Sequence, residues 1–424
     1  KDHDGDSGWA TFYNQYKDID LTLTTRDYIG NNAELRTVVR FAFENGKTLM
    51  LSVAYTNNTY QIQSMNDTFY GWGTHRNLSD DQIATFQSEE GINLRLVRMG
   101  TEVLAYLDDA LIKVCDLTTN KSGKATEITA DTPMTVSIRH YGNDGFAAEI
   151  PFEVKEEVPE VVTGNIDLPN GGRLDTVIRH YVEDLDLTLR VQDHPDSTDG
   201  EGVYPRTDVL FVFENGAHIS FGISSDGTGA QIKALNRNKN DNEQIYGQWT
   251  TWGTLIGEEF EQYKDGGVDL RLVRCGTEIS LYVGDRFVTV ADLTNNDSGV
   301  TADTKAKVTV RHYYDAGAKM NIPFEWTEVL DLITVKKAEC EHGKVVTQKE
   351  NYIAGDTVII SGKANDGYYC TGLKVNGEDV AMEMMNGTYT FKATEEEYTV
   401  AATFAKSIFA TDKLSYWNIL RQQE

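Results

Sequence analysis

NLRLVRMGTEVLAY at residues 93–106 and DLRLVRCGTEISLY at residues 269–282 are nearly the same segment written twice. Counted from the first leucine of each, the copies stand 176 residues apart (270 − 94). Stacked repeats have periods of roughly 20–50 residues, so this offset assigns each copy to a whole domain. Within the segment apolar and polar residues alternate with period two, and a Gly-Thr pair interrupts the alternation. That is the pattern of a β-hairpin.

Further landmarks repeat in the same order. IDLTL (19–23) answers LDLTL (185–189), FAFENG (41–46) answers FVFENG (211–216), and WGT (72–74) answers WGT (252–254). RHY (139–141) answers RHY (311–313), and IPFE (150–153) answers IPFE (322–325). The offset drifts between 166 (185 − 19) and 180 (252 − 72), so insertions and deletions fall between landmarks, in surface loops. Most landmarks read as strands, rich in Val, Leu, Ile, Thr, Tyr and Phe and separated by Asn, Gly and Asp turns. ENGK and ENGA are expected to turn on positive φ angles at Asn-Gly. Only LSDDQIATF (78–86) and IGEEFEQY (256–263) have the look of short surface helices. Many strands over roughly 150 residues without helices predict an all-β protein of antiparallel jelly-roll sandwiches.

The hairpin LRLVR-x-GTE, with its aromatic close at Tyr106 or Tyr282, resembles the concanavalin A-like lectin/glucanase superfamily, laminin-G-like jelly rolls included. The resemblance covers about 10–155 and 175–328. It implies a lectin, a carbohydrate-binding module, a glycoside hydrolase or a spacer, because one fold hosts many functions. A third segment resembles the small β-repeat found in tandem on Gram-positive surface proteins. Its pieces are YIAGDTV (352–358), the stretch from Gly367 to the VNG ending at Gly377, and the closing TVAATF (399–404). The expected organisation is a first sandwich at 1–155, a linker at 156–174 and a second sandwich at 175–328. The small β-domain follows at 331–405, and 406–424 is a tail or the start of a further domain. The acidic, proline-bearing KEEVPEVVTGNIDLPNGG (155–172) is what marks the linker.

The 424 residues are too many for one ordinary core, and 25% charged with 40% hydrophobic residues is a globular composition. A net charge of −27 argues against nucleic acid and anionic membrane partners, and no apolar run is long enough to span a bilayer. Of the four cysteines, Cys115 and Cys275 have no counterpart in the other copy and read as buried apolar residues. Cys340 and Cys370 share one segment, and pairing between them stays open.

GDSGW (5–9) contains a serine-protease signature, but only His3 precedes Ser7, so the triad is missing. DHDGDSG (2–8) starts like a calcium loop, yet Ser7 and Tyr13 stand where that loop needs Gly and an acid. The insertion DHPDSTDGEG (193–202) offers Asp193, Asp196 and Asp199, so calcium is the one cofactor these acidic loops suit. Glycoside hydrolysis needs two carboxylates across the scissile bond. Family-16 glucanases set theirs along one strand, and neither copy has that spacing, so no catalysis is expected. The aromatic stretches FYGWGTHRN (69–77) and IYGQWTTWGT (245–254) are the sugar-site candidates: Tyr70, Trp72 and His75, and Tyr246, Trp249 and Trp252. Sugar C–H faces stack on flat rings while polar neighbours read hydroxyls. The alternative is that the equivalent Trp72 and Trp252 each cap an open end of a sandwich. His140 and His312 lack metal spacing, and a repeated structural hydrogen bond accounts for them.

The expected protein is a non-catalytic, lectin-like region of a secreted or cell-surface bacterial protein, binding glycans or a host glycoprotein. A ligand-free spacer or adhesin stalk, and an accessory region of a larger glycoside hydrolase, are the alternatives.

Overall fold

The computed structural model describes residues 3–4, 9–27, 35–65, 67–141, 147–148, 150–156, 158–168, 174–193, 206–225, 229–234, 244–246, 250–313, 320–380 and 387–407. The chain divides into two compact units. One holds Lys1–Val182, Thr188–Asp269 and Lys305–Trp326, and the other holds Glu183–Leu187, Leu270–Thr304 and Thr327–Glu424. As expected, the protein is all-β, with a helix of eight residues at Asp80–Gln87 and one of seven at Glu258–Lys264.

In the first sandwich, the front sheet runs Ala10–Tyr16, Met134–Tyr141, Leu35–Phe43, Thr48–Thr56, Thr59–Ser64, Gly73–Asn77. The back sheet runs Phe152–Lys155, Ile19–Thr25, Ile92–Met99, Glu102–Leu107, Ala110–Asp116. The period-two alternation places Leu94, Leu96, Val103, Ala105 and Leu107 inward, where they share one core with Val39, Phe41, Leu51 and Val53 of the front sheet. Each fully buried leucine contributes about 1.5–3 kcal/mol, so a one-residue slip that turned this face to water would be heavily disfavoured. The arginine ending LRLVR also points inward. Arg98 is fully buried, its guanidinium donating to the carbonyls of Gly100, Tyr16 and Thr129 at 3.1–3.4 Å. Its equivalent Arg274 donates to the carbonyls of Thr304 (2.6 Å) and Ala302 (3.5 Å). Burial pushes both guanidinium groups down to about 10.

The ENG turns depart in detail from expectation. Gly46 (φ 79°) and Gly216 (φ 92°) take positive φ, but the preceding asparagines do not. The N–H of Gly46 bonds Phe43 O at 2.9 Å and that of Phe43 bonds Lys47 O at 2.9 Å, a three-residue loop closed by glycine. The helix Asp80–Gln87 starts at a capping box in which Ser79 and Gln82 each accept the other's backbone N–H.

The segment expected as a linker contains the strand Val161–Leu168. It pairs parallel with the Ala110–Asp116 strand at Ala110 and Asn165, and the N–H of Asn165 bonds Asp109 O at 2.8 Å. Val162 and Ile166 are buried, a period-two signal that the flanking acids and prolines obscured. Gly164 lies between them, where a Cβ would come within 2.8 Å of Phe324 and 2.9 Å of Tyr106.

The second copy repeats the front-sheet order with Leu174–Val182, Ala306–Tyr313, Arg206–Phe213, His218–Ser225, Ala230–Lys233 and Thr251–Thr254, all in the first unit. Its hairpin strands Val268–Cys275, Glu278–Val283 and Arg286–Asp292 pair antiparallel in turn. The small C-terminal domain has one sheet ordered Tyr352–Ile353, Leu332–Lys337, Glu397–Lys406, Tyr368–Val375, Glu378–Asp379 and another of Gly343–Thr347, Thr357–Ala364 and Thr388–Lys392. Its first and last long strands pair parallel, Val335 opposite Tyr398, so antiparallel pairing is the rule but not universal. All four cysteines are free thiols. Cys340 and Cys370 stay apart, the Sγ of Cys340 accepting the N–H of Ala402 and the thiol of Cys370 directed at Gly372 O.

Candidate functional site

The outer face of the first front sheet mixes polar side chains with the apolar Val38, Met50 and Ala54. Strand register aligns Thr11, Ser137, Arg40 and Met50 across one row and Arg139, Val38, Ser52 and Gln63 across the next. Two short hydrogen-bonded chains run across them. The hydroxyls of Thr11 and Ser137 lie 3.0 Å apart, and Arg40 donates to Ser137 at 3.3 Å. Nearer the far edge, Thr74 donates to Gln61 Oε1 (2.6 Å) and Gln61 donates to Gln63 Oε1 (2.9 Å). Gln61, Gln63, Ser52 and Ser137 are buried. The Gln63 Nε2 and Arg40 Nε donors are also buried, and neither has a hydrogen-bond partner among the described residues.

Two tryptophans lie at the margins of this face under arginines. The Arg40 guanidinium sits 4.4 Å from the Trp9 ring centroid and that of Arg139 5.6 Å from it. Arg36 sits 5.5 Å from the Trp72 ring and donates to Thr56 at 3.2 Å. Trp72 is 59% exposed; among the described aromatic side chains only Phe152 and Tyr369 are comparably open. Asp67 holds the turn that presents it. Its buried carboxylate accepts the backbone N–H groups of Phe69, Tyr70 and Gly71 at 2.6–3.0 Å and that of Met50 at 3.2 Å. Burial is the main influence on that carboxyl and raises its pKa against the lowering effect of the four N–H donors.

The expected residues scatter around this frame. Tyr70 packs against the core, accepts the N–H of Asp116 at 3.1 Å and meets the His75 ring edge-on at 5.1 Å. Burial, and then Lys113, pushes His75 down to about 4, so it is neutral at pH 7. Trp72 alone of that trio is an exposed platform. In the second copy Trp252 is half-buried, 4.8 Å from the Tyr246 ring and 5.2 Å from the Phe221 ring, its indole N–H directed at Ser220 O. The equivalent tryptophans have therefore taken different roles, one outward and one packed. Trp249, Asp196 and Asp199 lie outside the described residues, as does the acidic start of the chain beyond the backbone of residues 3–4. Asp193 is half-buried, its N–H bonded to Tyr263 O at 2.7 Å. Among the described residues no three His, Cys, Asp or Glu side chains gather as metal ligands.

His140 and His312 behave as expected: the Nδ1 atoms lie 3.0 Å from Thr37 Oγ1 and 2.9 Å from Thr207 Oγ1, the same bond in each copy. Trp9, Arg36, Arg40, Arg139 and Asp67 were not anticipated. The alternation in LRTVVRF and SIRHY, with arginine on the non-core parity, is the signal that could have found three of them.

With this geometry in place, comparison with known proteins adds a family for one segment. Residues 333–408 match the model of the divergent InlB B-repeat domain. The match covers the C-terminal domain, in agreement with the resemblance of its YIAGDTV and VNG pieces. No curated protein matches the chain. Among solved structures, domains LG4-5 of the mouse laminin alpha1 chain are 11% identical, over 86% of this chain and 92% of that one, with a TM-score of 0.25. CG-16, a homodimeric agglutinin from chicken liver, is 13% identical over 35% of this chain and 100% of its own, with a TM-score of 0.22. The CBM2 module of the evolved Dit of Lactobacillus casei BL23 phage J-1 is 12% identical over 37% and 70%, with a TM-score of 0.25. No helix of the described residues is long and apolar enough to cross a membrane.

Proposed function

We propose that the first sandwich is a non-catalytic glycan-binding module of a secreted or surface-attached protein, with the outer face of its front sheet as the binding face. The observation that carries this reading is Trp72, a 59% exposed indole beside a row of buried amide and hydroxyl groups. A pyranose laid on that ring would stack its C–H face, and its hydroxyls would meet the exposed Thr74 hydroxyl, which Gln61 and Gln63 back from beneath. The carboxylates of a glycosidase have no counterpart in this row of Gln, Ser, Thr and Arg side chains, which suits binding without bond cleavage. Trp252 fits a packing role, so this reading rests on the first copy.

A glycan array probed with the full chain tests the proposal. Trp72→Ala is expected to lower binding at least about tenfold, since stacking and burial of a large ring contribute on the order of 1.5–3 kcal/mol. Trp252→Phe should leave binding unchanged. Binding that survives Trp72→Ala, or no binding to any glycan, would overturn the assignment. Loss of binding in EDTA would bring in the acidic insertion with Asp193, Asp196 and Asp199.

A further inference from the structure

The two copies of the hairpin share a second set of positions, on the face away from the core. Arg95 forms a two-pronged ion pair with Asp20 (2.9 and 2.7 Å) and lies 5.5 Å from the Tyr106 ring. Arg271 pairs with Asp186 in the same way (2.9 and 2.6 Å) and lies 5.3 Å from the Tyr282 ring. Val97, Leu104 and Tyr106, though on the outer face, are no more than 1% exposed, and Val273 and Tyr282 are 2% and 3% exposed. Something covers this face in both copies.

In the first copy Gly164 and Phe324 lie against Tyr106, and in the second Ile353 and Leu330 pack with Val273 and Tyr282; beside each cover the glutamate of the G-T-E turn holds a main-chain amide of later chain. Glu102 is 1% exposed; its Oε1 accepts the backbone N–H of His180 at 2.8 Å and faces His180 Nδ1 at 2.6 Å, while its other oxygen meets the Arg179 guanidinium. Arg179 in turn lies 5.2 Å from the buried Trp326 ring. Glu278, 176 residues later (278 − 102), accepts the N–H of Glu350 at 3.1 and 3.2 Å and that of Asn351 at 3.1 Å, with the Asn351 side-chain amide at 3.3 Å. Beside it Lys349 is buried against Asp356 (2.5 Å), Ser280 Oγ (3.0 Å) and Tyr282 OH (3.1 Å). Val273, Tyr282 and Ile353 close the contact with Phe287 and Leu330.

The following segments differ in fold, although each sets a buried cation, Arg179 or Lys349, directly before the captured amide. Residues 179–180 belong to a strand of a lectin-like sandwich, and residues 349–353 belong to the C-terminal repeat domain. What they share is a backbone N–H presented to a carboxylate at the edge of an apolar and aromatic contact, the carboxylate buried at Glu102 and half-buried at Glu278. We propose that the outer face of the hairpin is a module-coupling socket, in which Glu102 and Glu278 capture main-chain amides of the next module and so accept modules of unrelated fold. Because main-chain amides carry no side-chain identity, the partner is defined as any β-module offering an amide beside a buried apolar residue.

Hydrogen exchange on the full chain tests this. Glu278→Ala is expected to speed exchange in the peptide spanning residues 349–353 by about tenfold or more, the loss expected for charge-assisted bonds. Exchange over residues 357–406 should stay as it is, because the module keeps its own core. Glu102→Ala should do the same at residues 178–182. Glu278→Gln, which keeps one acceptor, should give a smaller acceleration and guards against a misfolded alanine variant. Unchanged exchange at both peptides would overturn the proposal. So would acceleration throughout 357–406, which would make Glu278 a folding residue of the repeat rather than a coupling one.

Discussion

His140 and His75 sit in the first sandwich with their charged forms disfavoured, His140 by burial and His75 by burial and Lys113, both down to about 4. In the unfolded chain a histidine titrates near 6.5, so between these values the unfolded state binds protons that the folded state refuses. Stability from these sites is full above about pH 6.5 and is lost as the pH falls toward 4. Denaturation midpoints measured across that range should decline with acidification, and His140→Gln should flatten the decline. A midpoint that rises on acidification would contradict the burial of these rings. The repeated R-H-Y made a hydrogen bond at this residue legible, because the same residue in two copies of one fold needs one explanation. The burial of Arg98 was not legible: LRLVR reads equally well with its last arginine in solvent, and the carbonyls of Tyr16, Gly100 and Thr129 draw it in.

At the level of strands, alternation and glycine turns disclosed the central hairpins of the sandwiches, since period two is imposed by the pleat itself, but not Ala10–Tyr16 or Thr59–Ser64. The strand Val161–Leu168 escaped because its outward residues are Thr163 and Asn165 and its inward row is interrupted by Gly164. That glycine is there for clearance. Gly164→Ala would set a methyl into the contact between Phe324 and Tyr106, and overpacking of this kind costs about 1–3 kcal/mol. The expected result is a lower midpoint in urea; an unchanged midpoint would mean that the two rings can part without loss. The candidate face was half legible for a related reason. Sequence pointed to Trp72 through its Gly-rich surroundings, but Arg36, Arg40, Gln61 and Gln63 come together only through pairing of distant strands.

For the molecule as a whole, 66 acidic residues against 39 basic ones give −27, and pairs such as Arg95–Asp20 and Arg271–Asp186 offset only part of it locally. Self-repulsion on this scale opposes compaction and is relieved by salt. The melting temperature should therefore rise between about 0.01 M and about 0.15 M sodium chloride. A fall would show that surface ion pairs outweigh the repulsion. The same charge is what the basic and aromatic outer face of the first sandwich stands out against, with Arg36, Arg40 and Arg139 gathered on adjacent strands.

The order of strands in the C-terminal domain bears on how the chain is made. Glu397–Lys406 lies between Leu332–Lys337 and Tyr368–Val375, so the last strand to be synthesised is the central one. A hairpin such as Ile92–Leu107 can close as soon as it leaves the ribosome, because its partners are neighbours in sequence. The C-terminal sheet cannot. Until residue 406 clears the exit tunnel, Leu332–Lys337 and Tyr368–Val375 each present an open edge. Translation of this region thus carries an obligatory interval in which a nascent chain holds two unsatisfied strands, and a pause at its end would prolong the exposure.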